Sequence, residues 1–108
     1  RFIIHYTAAA TTTGSRWSLS GPGSPTELRY RANYSLTTTT ITTIAGSAAY
    51  ELPAASNATS AATGANIAII EGFIVPSANG TVIARFASEV ASSAIVAKAG
   101  SLVEFQAI

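Results

Sequence analysis

The chain has 108 residues, 48% of them apolar and only 10% charged, with a net charge of +1. Six basic residues scattered singly leave no electrostatic footprint for nucleic acid. The absence of Cys excludes disulfides, thiolate metal sites and cysteine nucleophiles, and no stretch approaches the roughly 18 consecutive apolar residues of a membrane-inserted helix.

The elements, in chain order, are short β-prone runs between turn-formers. Arg1–Thr7 reads as a strand from its first residue. With no Met in the chain, that opening is expected of the C-terminal part of a longer protein. Ala8–Gly14 is a small polar loop. Ser15–Ser20 puts Trp17 and Leu19 on one face and Arg16 and Ser18 on the other. Gly21–Pro25 turns, because two prolines among glycines do not fit a central strand. Thr26–Leu36 alternates, with Leu28, Tyr30, Ala32 and Tyr34 facing one way and Arg29, Arg31 and Asn33 the other.

Thr37–Ile44 is threonine-rich and expected to be extended, Tyr50–Leu52 is a possible short strand, and Pro53–Ala65 lacks an apolar stripe and reads as a loop. Asn66–Val75 is a nearly continuous apolar run broken by Glu71-Gly72. Asn79-Gly80 signals a hairpin returning along Thr81–Ser88. Ala94–Lys98 is a short strand, Ala99-Gly100 a turn, and Leu102–Ile108 a closing strand. About eight strands at this spacing predict one all-β domain, a β-sandwich or jelly roll.

Candidate chemistry is sparse. His5 is the sole histidine, with no Gly-x-Ser-x-Gly elbow and no Asp to complete a triad. It reads as a structural or interface residue, or as one member of a symmetric cluster that could hold an ion or titrate. The five acids are all glutamates, well separated, which argues against a calcium cage, and no metal or other cofactor is expected. Glu71 in the most apolar run needs a partner, and Arg85, after the Asn-Gly turn, is the expected one. No pair of carboxylates suits glycoside hydrolysis, and the chain is not expected to be an enzyme.

Trp17, Tyr30, Tyr34 and Tyr50 are either packing residues or a sugar-stacking platform. Trp17, Tyr30, Phe73, Phe86 and Phe105 are assigned to the core or to a subunit interface, so that Phe86→Ala should cost several kcal/mol. Arg29 and Arg31 form a solvated face, or meet a glutamate of a neighbouring subunit or an anionic glycan. The Asn33, Asn57 and Asn79 sequons are what a Ser/Thr-rich chain produces by chance.

Five segments carry a resemblance: Trp17-Ser18-Leu19-Ser20-Gly21-Pro22, Ile70-Glu71-Gly72-Phe73-Ile74-Val75, Asn79-Gly80-Thr81, Arg85-Phe86-Ala87-Ser88-Glu89 and Lys98-Ala99-Gly100-Ser101-Leu102. Together they resemble the C-terminal domains of bacteriophage virion proteins whose jelly roll is similar to the C1q and tumour-necrosis-factor family. The resemblance spans most of the chain through strand-and-turn punctuation.

It implies a single jelly-roll domain over residues 1–108 and a homotrimer on the virion surface, in contact with other virion proteins. Its loops Ala8–Gly14, Gly21–Pro25, Pro53–Ala65 and Ser77–Gly80, gathered at one end, would meet a host glycan or receptor. A capsid decoration protein is the alternative within this class, and a carbohydrate-binding module of a secreted bacterial protein the alternative outside it. The charge-poor composition asks for covered surface in either subunit-facing case; the number three comes from the resemblance alone.

Overall fold

A computed structural model describes residues 1–45, 50, 52–53 and 59–107. The described residues form eight strands and no helix: β1 (Phe2–Ala8), β2 (Ser15–Ser20), β3 (Glu27–Ser35), β4 (Ile41–Ala45), β5 (Asn66–Val75), β6 (Ile83–Ser88), β7 (Ile95–Ala97) and β8 (Leu102–Val103). All pairings are antiparallel. The larger sheet runs β4-β3-β5-β1-β7, with β8 also on β1, and β2 pairs β6 in a second sheet.

Alternation places the core. Ile4, Tyr6 and Ala8 of β1, Leu28, Tyr30, Ala32 and Tyr34 of β3, and Ala68 and Ile70 of β5 are buried, so the even-numbered residues of these strands form one inner face. Trp17 and Leu19 of β2 close over it. The Trp17 ring lies 5.0 Å from Tyr6 and 4.7 Å from Phe86. Its indole nitrogen donates to Ser15 Oγ at 2.8 Å, which satisfies the one polar atom such a buried ring carries.

The other face of β2 is also covered. Arg16 Nη1 donates to the Pro53 carbonyl at 3.0 Å and Arg85 Nη1 to the Tyr50 carbonyl at 2.7 Å. These arginines hold the chain at Tyr50 and Pro53 across the face, and Ser18 between them is buried. Tyr50 and Leu52 belong to no strand, while residues 54–58, with the Asn57 sequon, lie outside the described residues. The extended run predicted from Thr37 starts at Ile41; Thr37–Thr40 is a turn in which Thr37 Oγ1 accepts from the Thr39 and Thr40 amides.

The expected Asn79-Gly80 hairpin does not form. β3 occupies one edge of β5 over Ile69–Val75 and β1 the other over Asn66–Ile70. β6 pairs with β2 instead, and the chain after Val75 crosses between sheets. Gly80 serves close approach rather than a left-handed turn: a Cβ there would lie 2.7 Å from Pro22 Cγ. The predicted Ala99-Gly100 turn is present, with Gly100 at φ 94°, a conformation that favours glycine.

Candidate interaction surface

The outer face of the larger sheet carries the odd-numbered residues of β1, β3 and β5. On β5 these are Ile67, Ile69, Glu71, Phe73 and Val75, and the register sets Ile67 opposite His5 and Ile69 opposite Ile3 and Asn33. Leu102 pairs with Ile3 and Val96 with Thr7 on the same face. Ile67, Phe73, Val75, Val96 and Leu102 are all exposed. A β-strand this apolar on both sides has one side in the core and a second side that the described residues leave exposed at Ile67, Phe73 and Val75. Isolated surface apolar residues are ordinary, but several on one sheet face mark a candidate interaction site.

An ionic row crosses this face. Arg31 Nε donates to Glu71 Oε1 at 2.8 Å and Nη2 donates to the same oxygen. Arg1 Nε lies 4.0 Å from Glu71 Oε2. The Arg31 hydrogen bond, then its charge, holds the Glu71 carboxyl below its ordinary value. The expected Glu71–Arg85 pair is therefore corrected. Arg31 stands directly opposite Glu71 on β3, whereas Arg85 sits on β6 in the other sheet and is committed to the Tyr50 carbonyl. The sequence reading assumed a β5–β6 hairpin, and without it the two side chains have no reason to meet.

Of the five aromatic residues assigned to core or interface, Trp17 and Tyr30 are in the core. Phe73, 51% exposed, Phe86, 38% exposed, and Phe105, 92% exposed, are not core residues within the chain. Phe73 points outward because Glu71 and Phe73 share the odd face of β5, and Phe105 follows the last strand with nothing packed on it among the described residues. The four-residue aromatic platform does not exist: Trp17, Tyr30 and Tyr34 are buried and Tyr50 packs partly against them. Phe73 and Phe86 lie in different sheets, so they form no strip.

His5 is on the outer face, where its Nε2 donates to the Gly64 carbonyl at 3.2 Å and its backbone N–H to Ser101 Oγ at 3.0 Å. Among the described residues no three His, Cys, Asp or Glu side chains converge on a point that would hold a metal ion.

The loops divide between two ends instead of gathering at one. Ala8 N bonds Thr63 O, Ala9 N bonds Ala94 O, Ser60 N bonds Thr11 O and Glu89 N bonds Gly14 O, which ties the loops after β1 and β6 to the one before β5. At the opposite end Ser77 Oγ donates to Gly23 O and Gly80 packs on Pro22. Antiparallel connectivity requires this, because the turns after β2 and β5 leave the sheets at the end opposite to the turns after β1 and β6.

Sequence reasoning missed the pair Arg16–Glu89, whose Nε and Oε1 are 3.6 Å apart, and the outward aim of Phe73. The first had no local signal. The second was legible in the nearly continuous apolar run of β5, which is one face too many for a core. The chain matches no family model, no curated protein and no solved structure.

Proposed function

We propose that the chain is a non-enzymatic structural and adhesive module of a bacteriophage virion surface, a jelly roll that acts as a homotrimer in a fibre or spike head. The observation that carries this reading is the uncovered apolar outer face of the larger sheet, around Ile67, Val96 and Leu102. Contact between copies on this face would remove those side chains from water, and a closed symmetric ring does so without leaving a sticky surface free. The charge-poor composition supports the same reading, since subunit-facing surface is where charge is depleted. The jelly-roll topology and the virion setting are supported by the segments that resemble phage C-terminal domains.

Light scattering of the protein across a dilution series tests it. The expected mass is three times the 11.0 kDa of one chain, independent of concentration. A monomer at all concentrations overturns the trimer and moves the reading to a carbohydrate-binding module. Ile67→Glu should convert a trimer to monomers if this face is the contact.

A further inference from the structure

We propose that a shallow groove on the outer face, between Arg29, Arg31 and Phe73, binds the carboxylate of an acidic saccharide. The inference deepens the adhesive part of the reading above and rests on it. The groove is an open surface depression lined by Arg1, Arg29, Arg31, Glu71 and Phe73 among others.

Three guanidinium groups, of Arg1, Arg29 and Arg31, share this part of the face with two carboxylates, those of Glu71 and Glu27. Arg31 is spent on Glu71, and Arg1 stands 4.0 Å from the same group. Arg29 spends only Nη1, on the Leu28 carbonyl at 2.8 Å, so the rest of its planar donor fork is open toward the groove. Glu27, two residues along on this face, forms no ion pair among the described residues.

Phe73 stands directly opposite Arg29 across the β3–β5 ladder. A half-exposed ring beside an available guanidinium suits a ligand with a carboxylate and a C–H-rich face on one rigid frame. A uronic or sialic acid residue has both: the carboxylate takes the two-pronged donor of Arg29, and the sugar face lies on Phe73. An acidic peptide offers the carboxylate on a flexible stem with no flat apolar face to lay on the ring. Phe73 lies about 20 Å along β5 from Ile67 at the usual strand rise, so a contact between copies centred on Ile67 would leave room for a ligand at Phe73. Three copies would add avidity to a weak single contact.

The test is a titration of the intact ¹⁵N-labelled protein with sialyllactose, with a galacturonate trisaccharide, and with lactose as the neutral control. The expected result is saturable shifts at the Arg29 and Phe73 amides with an acidic sugar and none with lactose. Arg29→Ala and Phe73→Ala should each weaken binding about fivefold or more, and salt at about 0.5 M should weaken it too. Both variants alter exposed side chains, and their amide spectra report whether the fold is kept.

The site is overturned if neither acidic sugar shifts these amides, if lactose does so equally, or if both variants bind like the wild type. It is also overturned if Arg29→Ala breaks the oligomer, because Arg29 is then a contact between copies. Light scattering on the same samples separates the two readings. A trimer that binds no acidic sugar loses the site alone, and a monomer that binds one loses the trimer alone.

Discussion

Arg16 Nε lies 3.6 Å from Oε1 of Glu89, whose side chain is 4% exposed. The same guanidinium donates through Nη1 to the Pro53 carbonyl. One arginine thereby joins β2, the chain crossing over it and the loop after β6. Removing one member of a buried pair leaves the other charge without compensation, which costs more than the intact pair contributes. Glu89→Gln is expected to destabilise the fold by roughly 2–3 kcal/mol, below the full cost because Arg16 keeps partial access to water. A urea unfolding midpoint unchanged by Glu89→Gln would show that the pair is not holding these segments.

Trp17 and Phe86 should respond unequally. Trp17 is fully buried, so Trp17→Ala is expected to cost about 3–5 kcal/mol. Phe86 stacks on it but is 38% exposed, and Phe86→Ala should cost about 1–2 kcal/mol. The sequence reading expected a loss of several kcal/mol at Phe86, as a residue of the core or of a contact between subunits. Equal losses in chemical denaturation would restore that expectation and place Phe86 in the core or in a contact between copies.

Tyr34 makes stability sensitive to alkali. Burial, reinforced by the negative charge of Glu89, pushes its phenol up from 10 to about 12. Between those values the unfolded chain gives up this proton and the folded chain keeps it. The contribution is therefore intact below about pH 10 and lost as pH rises toward 12. Urea midpoints at several pH values above 9 should fall for the wild type, and fall less steeply for Tyr34→Phe, which has no phenol to ionise. Parallel curves would mean that Tyr34 titrates normally.

Gly72 is the tightest point of the larger sheet. A Cβ there would strike the Arg29 carbonyl oxygen and lie 2.5 Å from Tyr30 Cα. Both are backbone atoms, so β3 and β5 would have to separate. Gly72→Ala is expected to cost about 3 kcal/mol or more and to lower the melting temperature by more than about 10 °C. Gly23→Ala, with nothing within 4 Å of the added carbon, is the near-neutral control. Similar melting temperatures for the two variants would mean that β3 and β5 have room to move apart.

How much of this was legible depended on the range of the interaction. The alternation of β3 sets Leu28, Tyr30, Ala32 and Tyr34 on one face and Arg29 and Arg31 on the other in the sequence itself, because a period of two is a local property. The bounds of β5 at Asn66 and Val75 were readable for the same reason. Asn79-Gly80 misled because turn chemistry describes four residues, while pairing is decided by which strand edges are already occupied. β5 was taken by β3 and β1, and Gly80 had a different task against Pro22. Glu71 was then matched to the wrong arginine, since choosing between Arg31 and Arg85 requires the strand order. Arg16–Glu89 was beyond any local pattern.

The position of β5 also sets a timetable for synthesis. Among the described strands β1 pairs with β5, β7 and β8 and with none of β2–β4, so apart from the Ala8 N–Thr63 O bond its backbone partners begin at Asn66. Until the ribosome has passed that residue, Phe2–Ala8 has neither a ladder nor a finished core to enter. Pairings this distant in sequence form slowly, and in the interval an apolar strand is open to association with other nascent chains. Slowing translation before Asn66 should therefore lengthen the exposed interval, whereas slowing it after Val103 should leave the yield of soluble protein unchanged.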